Sequence, residues 1–283
     1  MKYKPEEEKL LMTELWSPVI KDNPLNFVKF AFPWGMKDTP LEEFKGPRKW
    51  QEKILREMTI HIQRNGVKDL PEMFRMAVAS GRGIGKSALV AWIILWMLST
   101  RLGSTVIVTA NTEQQLRSRT WAELGKWLTL SINSHWWSKT ATTIKPASWF
   151  DEALERDLKI DTGYYYAQAQ LWSEENPDAF AGIHSSYGVC LIMDEASGIP
   201  SPIYSVSEGF FSEPTPNRFW FTFSNPRRNQ GPFYDSFHSA KSFWKNEQID
   251  SRTVEGTDKE LFNKMIEQYG EDSTVARVEV MGQ

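Results

Sequence analysis

The chain has 283 residues, 41% of them hydrophobic, enough for one large domain with a substantial core. Lys and Arg number 33 against 36 Asp and Glu, a formal charge of -3, so nothing global points to nucleic acid and any such contact must come from a local basic patch. The single cysteine, Cys190, excludes an internal disulfide, the four histidines lack zinc-ligand spacing, and no apolar run reaches about 18 residues, which together predict a cytosolic chain with no membrane contact and no His/Cys metal cluster.

An aromatic and proline-rich stretch, Asn23 to Gly35, precedes the first clear element. From Pro47, the segment PRKWQEKILREMTIHIQRNG places Trp50, Ile54, Met58 and Ile62 on one helical face and stops near Gly66. MFRMAVAS reads as a strand, and SALVAWIILWMLSTRLG, apolar nearly all round, as a buried helix. STVIVTA, Ser104 to Ala110, gives a second strand. A helix follows from Thr112, its expected cap, to Leu130, with Leu116, Thr120, Leu124 and Leu128 along one side. DLKIDTG, YYYAQAQLW, YGVCLIMDEA and NRFWFTFSN read as strands, Cys190 being a buried small hydrophobe in the third of them, and KELFNKMIEQYG reads as a helix stopped by Gly270. Strands alternating with helices predict an α/β layered domain with a mainly parallel central sheet.

Between the first strand and the buried helix lies SGRGIGKS, residues Ser80, Gly81, Arg82, Gly83, Ile84, Gly85, Lys86 and Ser87. A glycine turn between strand and helix gathers backbone N–H groups at the positive end of the helix dipole and is suited to hold phosphate. Lys86 would reach the β and γ phosphates and the Ser87 hydroxyl would ligate magnesium, although the strict pattern has glycine where this chain has Ser80. VCLIMDEA ends an apolar strand in two carboxylates: Asp194 would face Mg2+ through water and Glu195 would polarise the attacking water. At the end of the next strand, Ser224 and Asn225 either contact the γ phosphate or its water, or merely open a turn before Pro226.

These three elements in this order resemble the ATPase domain of the large terminase subunit of tailed bacteriophages. The resemblance implies a P-loop NTPase fold of the ASCE/RecA-like kind, with ATP and Mg2+ as cofactors. It implies a motor that hydrolyses ATP to drive double-stranded DNA into a procapsid in the cytoplasm of an infected bacterium. The partners would be the portal protein, the small terminase subunit and further copies of the chain in a homo-oligomeric ring, with a monomer expected in isolation. By the same likeness Gln51 would hydrogen-bond adenine with Trp50 beside it, Arg82 would reach the γ phosphate, and Ser224 and Asn225 would couple hydrolysis to movement. Where many terminases have an arginine-glycine pair, this chain has Ala181-Gly182, which leaves Arg156, Arg218, Arg227 and Arg228 as candidates for an arginine acting on a neighbour.

The expected organisation is an N-terminal extension (1–46) packed on the core, an ATPase core (47–255), and a helical C-terminal segment (256–283) leading toward a nuclease domain that this sequence does not contain, so no DNA cleavage is expected. A nucleotide-dependent docking module and a helicase-like ATPase are the alternative functions.

Overall fold

The computed structural model describes residues 4–283. Strands β1 (Phe74–Ser80), β2 (Thr105–Ala110), β3 (Trp137–Lys139), β4 (Thr143–Pro146), β5 (Tyr166–Ala169), β6 (Val189–Asp194), β7 (Arg218–Ser224) and β8 (Lys245–Ile249) form one sheet in the order β3-β4-β5-β2-β6-β7-β1-β8. The run from β5 to β8 is wholly parallel, and the short β3-β4 hairpin extends one edge in antiparallel fashion. Central strands β2 and β6 are buried along their whole length, which is why they read as unbroken apolar runs rather than as alternating ones. Register brings Ala110, Asp194 and Phe223 side by side and pairs Ala79 with Ser224, so the strands on either side of the chain reversal end at one common edge.

The helices are α1 (Pro5–Leu15), α2 (Pro18–Lys21), α3 (Pro24–Ala31), α4 (Lys49–Asn65), α5 (Lys86–Thr100), α6 (Glu113–Gln115), α7 (Ala122–Leu130), α8 (Ser148–Leu158), α9 (Ser201–Ser207), α10 (Pro232–Asp235) and α11 (Lys259–Tyr269). Each of α1 to α3 opens on a proline, whose missing N–H would lack a partner at that position anyway. One face of the sheet carries α4, α5 and α7, with α1 to α3 joined to the same core through Leu15, Leu25, Phe27 and Val28. Apolar on every side, α5 lies between this outer layer and the sheet, and the indole of Trp96 on it donates to the Lys21 carbonyl (3.0 Å). Buried Glu8 of α1 faces His135 at 2.7 Å and also accepts from the Trp136 indole, so its charge is not left unpartnered. The opposite face is covered by α9 and its neighbours, with Phe180, Tyr204, Phe210 and Phe211 around Trp220 and Met193.

Two expectations change. DLKIDTG is not a strand: α8 runs to Leu158, Lys159 takes the left-handed conformation (φ 57°), and the Ile160 amide returns to the Leu154 carbonyl (3.2 Å), which closes the helix end. The helix expected over Thr112–Leu130 does form, with Thr112 accepting from the Gln115 amide (3.2 Å), but Leu116–Trp121 is wound as a π-helix. Even so, Leu116, Thr120, Leu124 and Leu128 are all buried.

Candidate nucleotide-binding site

The glycine loop leaves β1 at the fully buried Ser80 and enters α5 at Lys86. Gly83 (φ 70°) and Gly85 (φ 89°) occupy left-handed backbone that side chains disfavour. The first turn of α4, with the capping residue Arg48 just before it, straps the loop from one side. Arg48 donates to the Gly83 carbonyl (3.2 Å), the Trp50 indole to Ile84 (3.0 Å) and the Gln51 amide to Gly85 (2.9 Å). In a trans peptide the following N–H points opposite to the carbonyl, so anchoring three successive carbonyls on α4 turns the amides of Ile84, Gly85 and Lys86 the other way. The sequence therefore builds an anion-binding concavity by fixing the backs of its peptides.

That arrangement redefines Gln51. Its oxygen accepts from the Arg48 amide (2.8 Å), its NH2 group is held by Gly85, and the residue is 3% exposed. In this structure both polar ends of Gln51 support the loop, each through one hydrogen bond.

At the end of β6, Asp194 is buried, with one carboxylate oxygen accepting from the Thr120 hydroxyl (2.7 Å) and the other from the Glu195 amide (3.0 Å). Thr120 belongs to the π-helical turn, which thereby touches the acidic strand end directly. Glu195 sits at φ 51° and ψ 41°, a left-handed position that a side-chain-bearing residue rarely takes. The Lys86 ammonium is hemmed in by protein even though part of the side chain reaches solvent. Lost hydration lowers its pKa, an effect opposed by Asp194, Glu195 and Glu279 and reinforced by Arg227.

Asn225 ties these parts together: its oxygen accepts from Lys86 Nζ (3.2 Å) and its NH2 group donates to the Ser80 carbonyl (2.7 Å). Ser224 lies one layer deeper, fully buried, its hydroxyl 2.8 Å from that of Ser197. The two expected residues therefore part company, Asn225 facing the cavity and Ser224 linking β7 to the turn after Glu195.

The resulting cavity is about 510 Å³ and is lined by Arg82, Gly83, Lys86, Asn111, Gln115, Arg119, Glu195, Ser197, Gly198, Asn225, Arg227 and Arg228. Five cationic side chains face it against one carboxylate, so it is built to receive an anion of several charges. Asn111, Gln115 and Arg119 were not singled out from sequence; the signal was their place just after β2, at the same sheet edge as Asp194. Of the arginines named as candidates to act on a neighbouring copy, Arg227 and Arg228 line this chain's own cavity, Arg218 is tied to the Phe211 and Pro71 carbonyls, and Arg156 pairs with Asp157 on exposed α8. Among the described residues no cluster of three or more His, Cys, Asp or Glu could hold a metal. A hydroxyl (Ser87) and a carboxylate (Asp194) do suit Mg2+, which keeps several waters and takes few protein oxygens.

A parallel sheet with a glycine loop between β1 and α5 and paired acids closing β6 defines a P-loop NTPase fold. No family model matches the chain. Over 170 residues it is 29% identical to the probable terminase large subunit of Enterobacteria phage P7, an alignment taking in 57% of this chain and 31% of that protein's length. Among solved structures, a mutant ATPase domain of the large terminase from Thermus phage P74-26 superposes with a TM-score of 0.56 at 16% identity, covering 84% of this chain and 94% of the other. The ADP complex of the large terminase from the thermophilic bacteriophage D6E gives 0.55 at 12% identity, covering 83% and 53%. The fold is that of the ATPase domains of phage large terminases, and in sequence the chain resembles a terminase large subunit.

Proposed function

We propose that this chain is the ATPase motor domain of a terminase large subunit, which hydrolyses ATP to move double-stranded DNA into a procapsid. The observation that carries the proposal is the convergence of Lys86, Glu195 and Asn225 on one cationic cavity at the C-terminal edge of a parallel sheet. In this reading the loop amides and the α5 N-terminus bind the β and γ phosphates. Lys86, stripped of hydration by burial, gains further counter-charge from the triphosphate. Ser87 and Asp194 would hold Mg2+, which would supply positive charge to offset that of the phosphates. Glu195 orients the attacking water, and the left-handed turn it occupies delivers its carboxylate into the cavity instead of along the strand. Asn225 registers occupancy through Lys86 and passes it by way of Ser197 and Ser224 to the helix α9 layer.

Assembly into a ring on the portal, with the small subunit as a further partner in the host cytoplasm, belongs to the same proposal. One side of the cavity is open to solvent, where exposed Arg228 and any arginine from a neighbouring copy can approach. The test is phosphate release from Mg-ATP over a range of protein concentrations. Specific activity that rises steeply supports a shared site, whereas a flat, high rate contradicts it. Glu195→Gln should keep ATP binding and lower turnover by about two to four orders of magnitude. Undiminished hydrolysis in that variant would reject the role given to Glu195.

A further inference from the structure

The C-terminal π-helical turn, Ala276–Met281, lies directly on the glycine loop. The Arg82 amide donates to the Glu279 carbonyl (2.9 Å), and a side chain at Gly81 would run into the Val280 carbonyl, so only glycine permits this approach. The Glu279 carboxylate is shared by two arginines: Arg82 from the loop, and Arg227 from the segment after β7 at 3.0 Å. Both arginines line the cavity described above, and both are more than half exposed, at 61% and 51%, whereas Glu279 is only 16% exposed.

The asymmetry has a mechanical meaning. Long, exposed guanidinium groups can swing to a new anion at little cost, but a carboxylate this enclosed cannot lose both partners without regaining water. We propose that Glu279 competes with the terminal phosphate of a bound nucleoside triphosphate for Arg82 and Arg227, and that losing them loosens the 276–283 segment from the loop. Glu279 is then a positioning residue that converts the charge of the γ phosphate into movement of the chain's C-terminal segment. The inference rests on reading the cavity as a triphosphate site and goes beyond it by naming the intramolecular competitor. Electrostatics at Lys86 agrees, since Glu279 is one of the carboxylates that favour its charged form while Arg227 disfavours it.

The experiment compares the wild type with Glu279→Gln in calorimetric titrations with Mg-AMP-PNP and Mg-ADP, alongside hydrogen exchange of amides 276–283. Two part-exposed ion pairs set the scale of the competition, so the variant should bind AMP-PNP about three- to tenfold more tightly, with a smaller change for ADP. In the wild type, AMP-PNP should speed exchange in 276–283 and ADP should do so less; in the variant, exchange should start fast and respond little. Unchanged or weaker AMP-PNP affinity in the variant overturns the proposal. So does wild-type exchange in this segment that ignores AMP-PNP, a measurement that stands even should the variant misfold. Failure of the wild type to take up AMP-PNP would bring down the nucleotide reading as well, while uptake without the segment response brings down this inference alone.

Discussion

Glu195 at φ 51° invites a comparison of two substitutions in which the usual order of stability is reversed. An L residue in left-handed helical backbone costs about 1–2 kcal/mol, because its Cβ crowds the following carbonyl. Glycine escapes that cost but gives back about 0.4–1 kcal/mol through the greater freedom of its unfolded chain. Glu195→Gly should therefore be more stable than Glu195→Ala by about 0.5–1 kcal/mol, whereas at an ordinary helical position alanine leads by a similar margin. Comparing the two variants with each other cancels the loss of the carboxylate near Lys86, which both share. Urea unfolding followed by tryptophan fluorescence reads the difference as a higher midpoint for the glycine variant at equal slope. Alanine as stable as glycine, or more so, would refute the claim that this turn is strained. Both variants should lose ATP turnover, so the glycine form would gain on alanine in stability with no recovery of activity, as expected where strain serves a site.

Thr120→Val removes the hydroxyl that holds Asp194 at 2.7 Å, and should weaken Mg-dependent nucleotide binding about 10- to 100-fold while the melting temperature stays within a few degrees; unchanged magnesium dependence would contradict the link. Gly81→Ala should destabilise the fold by about 1–3 kcal/mol by displacing the Val280 backbone, and a urea midpoint equal to wild type would show that the C-terminal segment is not seated as described. Burial against Phe74 and Phe219 lowers the His61 pKa from 6.5 to about 4. The folded state thus binds fewer protons than the unfolded one between those values, so this stability is complete above 6.5 and drains away as pH falls toward 4. A shift of this size is worth up to about 3 kcal/mol, and the loss between pH 7 and 4.5 should be smaller by about 2–3 kcal/mol in His61→Phe; identical losses in the two proteins would refute it.

What the sequence discloses follows from how strongly each element is buried. β2, β6 and β7 sit in the middle of the sheet and α5 beneath it, so their apolar runs were plain, as was the glycine loop joining β1 to α5. β8 was missed because KNEQI, a polar edge strand, gains its place from backbone pairing with β1 and not from its side chains. The β3-β4 hairpin was missed for a related reason, since strands this short give periodicity little room. At α8 the left-handed position that ends the helix is filled by Lys159 where glycine is the usual marker, and Leu158 and Ile160 then imitate a strand.

At the site, residue types announced Lys86, Asp194 and Glu195, because phosphate and metal chemistry needs those groups next to particular backbone. Contacts that depend on two distant segments meeting could not be read in this way. The straps from Arg48, Trp50 and Gln51 to the loop, the Thr120 bond to Asp194 and the Glu279 pairs join positions 34 or more residues apart, and no local pattern encodes them.

Cys190, the second residue of β6, is fully buried, and its thiol is pushed well above the ordinary range by loss of hydration. It is the only sulfhydryl in the chain, and alkylating probes should pass it by. A reporter dye can therefore be attached at one engineered surface cysteine, on the C-terminal turn or beside the cavity, without first stripping the native protein of competing thiols, and the motions proposed above become accessible to single-molecule fluorescence.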